Sequence, residues 1–293
     1  MSLDSFKPQL MLANMILRAR KQFMASRVCN MSVALDLVER GTKLTINTMG
    51  EVTSADTDDA VPMTYGDVST AGEDLEITMD KTVSIKIMDK AKKQIAMSGV
   101  ALEDAYASRI VYVLNDDVDQ LVMGKYTECT VDNYETGTTP WQWGTDGADV
   151  PKFFASLNKS MDDANCETEG RFCILPNIAI QGIRLYMAGR ATALGDQAVQ
   201  QGYVGDMFGM SLFQSPNAVT VSTTVHGIAG NLPNVGEGIP GCIALAVQIS
   251  PIVEKLRLEG FWGDGLRARV TAGALVFKPE RTVDINLNTT LLA

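Results

Sequence analysis

Alternating apolar and polar positions define the first elements of the chain. From Gly41 to Gly50, Leu44, Ile46 and Thr48 alternate with polar residues, the period-2 pattern of a half-buried strand. A second alternating run carries Leu75, Ile77 and Met79 and continues through Val83, Ile85 and Ile87. Between them lies a polar, turn-rich stretch punctuated by Pro62, Gly66 and Gly72. Two strands around so long a connection predict an extended hairpin over 41–87, longer than a compact domain keeps without a use for it. The period then changes. Ile95, Leu102, Tyr106, Ile110, Val113 and Leu121 fall at or near multiples of the helical repeat, with no proline and only Gly99 as a weak point. That pattern predicts one helix of about thirty residues, roughly 45 Å long at 1.5 Å per residue, lying as a beam across the molecule. A shorter amphipathic helix is predicted over 8–27, where Leu10, Met11, Met15, Leu17 and Phe23 recur among basic residues.

Beyond Met123 the elements shorten. Residues 126–148 read as turns and strand, with Trp141 and Trp143 spaced to share one strand face in sheet packing. A helix starts near Val150, with Pro151 at its first position and Phe153, Phe154, Leu157 and Met161 on one side. Arg171 to Leu175 reads as a short apolar strand, which Pro176 ends before a further helix through Met187. Residues 189–241 are glycine-dense and predict a loop-rich lobe with short strands at Val219–Val225. Strands return over Cys242–Ile249 and Gly265–Val276. No βαβα rhythm runs through this order, so the class is α+β and not a parallel nucleotide-binding sheet.

Composition and motifs narrow the function. The 293 residues are 46% hydrophobic and 20% charged, a folded chain with a sizeable core. A formal charge of −10 repels phosphate backbones and argues against a dedicated nucleic-acid reader. No apolar run reaches the roughly eighteen residues of a membrane span, and the first residues lack the order of a signal peptide. Five cysteines (Cys29, Cys129, Cys166, Cys173, Cys242) without a CxxC point to reduced, buried thiols and intracellular synthesis. His226 is the one histidine, which excludes multi-histidine metal sites; with no nucleophile motif to pair with, it is expected to be an ordinary surface or partly buried residue. Gly236 to Gly241 spells GxGxxG, but a strand-like run follows where a pyrophosphate cradle needs a helix N-terminus. Asp116, Asp117 and Asp119 are expected on the exterior of the beam helix, without the glycine turn and bidentate glutamate of a calcium loop. No catalytic, cofactor or metal site is expected.

Charge is distributed in blocks. Residues 1–30 carry a net +4, residues 51–80 hold nine carboxylates and no base, and residues 81–100 return to +4. Nine like charges in thirty residues repel one another unless another surface neutralises them.

Four stretches carry a family resemblance: Arg40-Gly-Thr-Lys-Leu-Thr-Ile46 ahead of the hairpin, Ala155 to Asn165 followed by Gly170-Arg-Phe-Cys-Ile-Leu-Pro176, Gln201 to Asn217, and Gly265 to Glu280. In this order they resemble the major capsid proteins of tailed bacteriophages, the Hong Kong 97-type fold. The resemblance implies an N-terminal arm (1–40), an extended β-hairpin loop (41–87), a long spine helix with a peripheral domain (88–165), an axial domain (166–245), and return strands of the peripheral domain with a C-terminal tail (246–293). It further implies a non-enzymatic structural protein without cofactors. Copies of the chain would form hexamers and pentamers of an icosahedral virion shell, assembled in the host bacterial cytoplasm around double-stranded DNA, without sequence-specific DNA binding and without a membrane. Scaffolding and portal proteins are the expected partners, with a decoration protein as a further candidate. On this reading the inter-subunit contacts come from Asp56, Asp58, Asp59, Glu73 and Asp74 on the hairpin and from Lys86, Lys90, Lys92 and Lys93 on and beside the beam. Two alternatives stay open: an encapsulin-type compartment with the same fold, and a soluble α+β enzyme or binding protein with a pocket in the glycine-dense lobe.

Overall fold

The computed structural model describes residues 23–32, 37, 41–49, 54, 70–95, 102–143, 149–188, 205–233 and 241–289. Strands β1 (Lys43–Met49) and β2 (Thr70–Glu76) form a two-stranded antiparallel ribbon. Strand β3 (Met79–Met88) does not continue that ribbon. It pairs over ten residues with β11 (Gly263–Val276), the longest strand among the described residues. The hairpin expected over 41–87 therefore closes at Glu76, and its last part belongs to a four-stranded sheet. That sheet is completed by β10 (Glu254–Arg257) beside the first half of β11 and β9 (Ile243–Ile249) beside the second.

The helical beam is described in two parts, α2 (Asp89–Ile95) and α3 (Leu102–Met123), with 96–101 outside the described residues. At 1.5 Å per residue, the 22 residues of α3 span about 33 Å. Its buried stripe is Ile110, Leu114, Val118 and Val122, which pack on Ile87, Leu266, Ala268 and Val270 of the sheet. Tyr106, placed on the stripe by sequence periodicity, is exposed instead. Each large apolar side chain of this seam contributes about 1.5–3 kcal/mol of transfer free energy. A 3-10 turn, Gly124–Glu128, ends the spine.

The second body is a six-stranded sheet in the order β4 (Val131–Asn133), β12 (Val283–Asn288), β8 (Thr224–Asn231), β5 (Arg171–Leu175) and β6 (Ser211–Gln214), with β7 (Thr220–Val221) also on β8. Strand β12, grouped with the return strands on sequence grounds, lies in this sheet and not in the sheet of β11. Helices α4 (Val150–Asp163) and α5 (Asn177–Ala188) bury the aromatic core of this half. Val150, Phe153, Phe154, Leu157 and Met161 form the buried face of α4, as its apolar spacing requires. Trp141 and Trp143 both meet Phe153 edge-on, so the tryptophan pair is packing. Pro176 ends β5 and opens α5, its carbonyl accepting from the N–H groups of Ala179 and Ile180. The side chain of Arg171 is buried but fully engaged. Its guanidinium donates to Asp162, Asn158 and the carbonyls of Cys166 and Glu167, which clamps α4 to the start of β5.

Candidate assembly surfaces

The ribbon is the first candidate surface. Lys43 Nζ reaches Asp74 at 2.6 Å and Glu76 at 3.4 Å, and Thr45 Oγ1 donates to Asp74 at 2.7 Å. These charge-assisted bonds hold the Asp74 carboxyl below its ordinary range. Apolar residues face the body only at the root: Leu75 is fully buried with Leu37, Ala244, Ala246, Leu275 and Phe277, and Leu44, Ile46 and Ile77 pack beside them. Gly273 lets β11 pass the chain at Glu76, whose carbonyl oxygen would stand 2.2 Å from a Cβ there. Asp56, Asp58 and Asp59 lie outside the described residues, while Glu73 sits exposed on β2 opposite Ile46.

The expected basic counterpart is only partly available. Lys86 lies on β3 with its ammonium 4.9 Å from the centre of the Phe261 ring, and Lys90 and Lys93 are exposed on α2. Lys92 is already engaged within the chain, by Glu103 and Asp264. Lys255 also meets Glu103 (2.5 Å) and Asp264 (3.4 Å), and Arg257 forks onto Asp89 (2.8 and 2.5 Å) and reaches Asp264 at 3.0 Å. Three bases and three acids thus tie α2, the start of α3, β10 and β11 into one charge-balanced network. The pull of Lys92 and Arg257 holds Asp264 well below the usual carboxylate range.

A third surface is the turn joining β10 to β11. Trp262 is 83% exposed and Phe261 more than half so, although the Trp262 carbonyl accepts the Asp89 N–H and fixes the turn to α2. On the same sheet a groove of about 620 Å³ is lined by Val83, Ser84, Ile249, Ile252, Arg267 and Arg269. Ile252 is also largely exposed.

Two interior polar sites escaped the sequence reading. Asp119 is buried, not exterior, at 1% exposure. It accepts the backbone N–H groups of Met24 (2.8 Å) and Ala25 (3.0 Å), the Asn217 amide (2.9 Å) and the Ser215 hydroxyl (3.4 Å), so the spine helix holds both the N-terminal segment and the 215–217 turn. Its neighbours fare differently: Asp116 accepts from Asn217 at 2.7 Å, and Asp117 pairs with Lys81 at 2.6 Å. His226 Nδ1 lies 2.9 Å from Asp284 Oδ2, and its ring stacks on Tyr126. All five cysteines are free thiols, and burial pushes Cys166 up to about 11. After the GxGxxG motif the chain enters β9, a strand, and of the motif only Gly241 is among the described residues. Among the described residues no cluster of three or more His, Cys, Asp or Glu can hold a metal ion, and no helix is long and apolar enough to cross a membrane.

This architecture matches solved structures along nearly its whole length. A chain from Mycobacterium phage Che8 is 22% identical, with 97% of this chain and 98% of that chain covered at a TM-score of 0.79. A chain from the capsid structure of cyanophage P-SCSP1u is 11% identical, covering 99% and 95% at 0.70, and one from the capsid of Myoviridae phage XM1 is 13% identical, covering 98% and 99% at 0.63. No protein-family model matches the chain, and no curated protein matches it by sequence. At these identities the likeness is one of fold: the chain has the α+β fold of tailed-phage capsid subunits.

Proposed function

We propose that the chain is a major capsid protein, a structural and non-enzymatic subunit whose copies form pentamers and hexamers and close an icosahedral shell around double-stranded phage DNA. The observation that carries this reading is the end-to-end match of the fold to chains from phage capsids. Physical features of the chain support it. A two-stranded ribbon is marginal in water by itself, and here only its root has an apolar partner in the same chain. The acidic segment 51–80 beyond that root needs a basic surface to relieve its self-repulsion. Lys86, Lys90 and Lys93 of a second copy supply such a surface, whereas Lys92 serves the subunit's own network. The lobe built on the six-stranded sheet is the axial domain of this reading, and the sheet of β3 and β9–β11 with α2 and α3 is the peripheral domain. Scaffolding, portal and decoration proteins are partners of the assembled shell, and the virion is its location.

The test replaces Asp56, Asp58 and Asp59 together with lysine. Negative-stain microscopy and sedimentation of the expressed chain, alone and with its neighbouring gene products, should show shells for the parent and none for the variant. Circular dichroism should give the same melting curve for both subunits. Equal loss of folding and assembly would reject the ribbon as an assembly arm, a parent that stays monomeric or dimeric throughout would reject the shell, and shells holding an enzyme cargo instead of DNA would make it a compartment.

A further inference from the structure

The chain's one histidine is built into a polar site that joins three elements. His226 on β8 and Asp284 on β12 are diagonal neighbours on one antiparallel pair, since Asn286 stands opposite His226 and Asp284 opposite Ile228. Their side chains are 12% and 6% exposed and meet at 2.9 Å. Tyr126, from the turn that ends the spine helix, stacks on the imidazole with 4.1 Å between ring centres. On the other flank the parallel strand β4 sets Asp132 in register beside Asp284, and the charge of Asp284 reaches Tyr134 and Cys129. Asp284 Oδ1 is buried and has no hydrogen-bond partner among the described residues. An ionised carboxylate in that setting is costly, because one oxygen is desolvated without compensation and a second carboxylate adjoins it. With one proton held between Nδ1 and Oδ2 the pair is neutral and the cost disappears.

We propose that His226 and Asp284 form a pH-sensitive latch: while they share one proton they pin the end of the spine helix, through Tyr126, to β8 and β12, and loss of that proton as pH rises loosens the junction. The direction follows from the carboxyl. Burial raises Asp284 to about 6 against the pull of His226, with Asp132 adding to the rise. A carboxyl raised in the fold stabilises it fully below the ordinary carboxylate range near pH 4 and ceases to do so as pH climbs through about 6. Asp74, Asp80, Asp89, Glu103, Glu167 and Asp264 are shifted the opposite way, so their contributions are complete above about pH 5. Among the described residues, the interval from about pH 5 to 7.5 therefore reports on the latch.

The test uses the full, unassembled chain, and its failure would leave the shell reading untouched. The melting midpoint of the parent should fall by several degrees between about pH 5 and 7.5, while D284N stays level within about a degree. Parallel curves for the two proteins would overturn the latch. Nuclear magnetic resonance of the parent decides independently of whether D284N folds, because the imidazole signal has no rival in the sequence. The backbone amides of 124–128 and 284 should shift with the same midpoint as the ring. An imidazole that titrates while those amides stay still would also overturn it.

Discussion

Asp119 carries more of the molecule than its place in a run of aspartates suggests. Its carboxylate serves donors from two segments that lie almost a hundred residues away in opposite directions along the chain. Removing its charge leaves buried backbone N–H groups facing a weaker or repelling partner, at about 1–3 kcal/mol for each unsatisfied group. Asp117, three-quarters of a turn away, pairs with a half-exposed Lys81, a surface bond worth about 0–1 kcal/mol. Chemical denaturation should therefore show D119N destabilised by about 2–4 kcal/mol and D117N barely changed. Limited trypsin digestion should also cut after Arg27 faster in D119N, because the segment it follows has lost its anchor. Equal stability of the two variants would refute the anchor. The signal for Asp119 was present in the sequence: it stands seven residues after Tyr112 and four before Met123, both buried, on one face of the helix. A cluster of acids invites a reading by charge, and here the helical repeat was the better guide.

At the scale of elements the packing hinges on the crossing of β11 by the chain between β2 and β3. Gly273 permits it, and G273A would force a Cβ to 2.2 Å from the Glu76 carbonyl oxygen, a backbone atom that cannot turn aside. The expected cost is about 1–3 kcal/mol of overpacking. Amide exchange should rise in β1 and β2 more than in α4, since the displaced residues are the ribbon's root. Uniform exchange across both would show that the crossing does not govern the ribbon. This junction also marks the limit of what the sequence discloses. Helix α4 was legible from Pro151 and its aromatic stripe, and β5 and α5 from Pro176, because their determinants are local. Strand β3 alternates as clearly as β2, but alternation shows that a segment is a strand without naming its partner, and that partner, β11, lies almost two hundred residues on. For the same reason Lys92 read as an assembly residue: its partners Glu103 and Asp264 come together only in the fold. Asp284, 58 residues from His226, was hidden likewise.

The whole molecule leaves apolar surface where a self-sufficient protein would not. Single exposed apolar residues are ordinary, but Phe261 and Trp262 stand together on a turn that is rigidly held. Asp89 fixes it through the Trp262 carbonyl, and the network of Lys92, Lys255 and Arg257 braces the strands on either side. A braced turn bearing an aromatic pair loses little entropy on association, which favours its use as a contact between subunits. Because Trp262 is 83% exposed, W262A removes almost no packing from the isolated subunit, and its melting midpoint should stay within about a degree of the parent. Aromatic anchors at the centre of an interface typically cost 2 kcal/mol or more, roughly thirtyfold in affinity, when truncated. A shell repeats each contact over every subunit, so the concentration needed for assembly should rise by at least that factor. Sedimentation across a concentration series measures it. An unchanged assembly threshold would mean that the turn faces solvent in the shell, and subunit association would then rest on the ribbon and its charges.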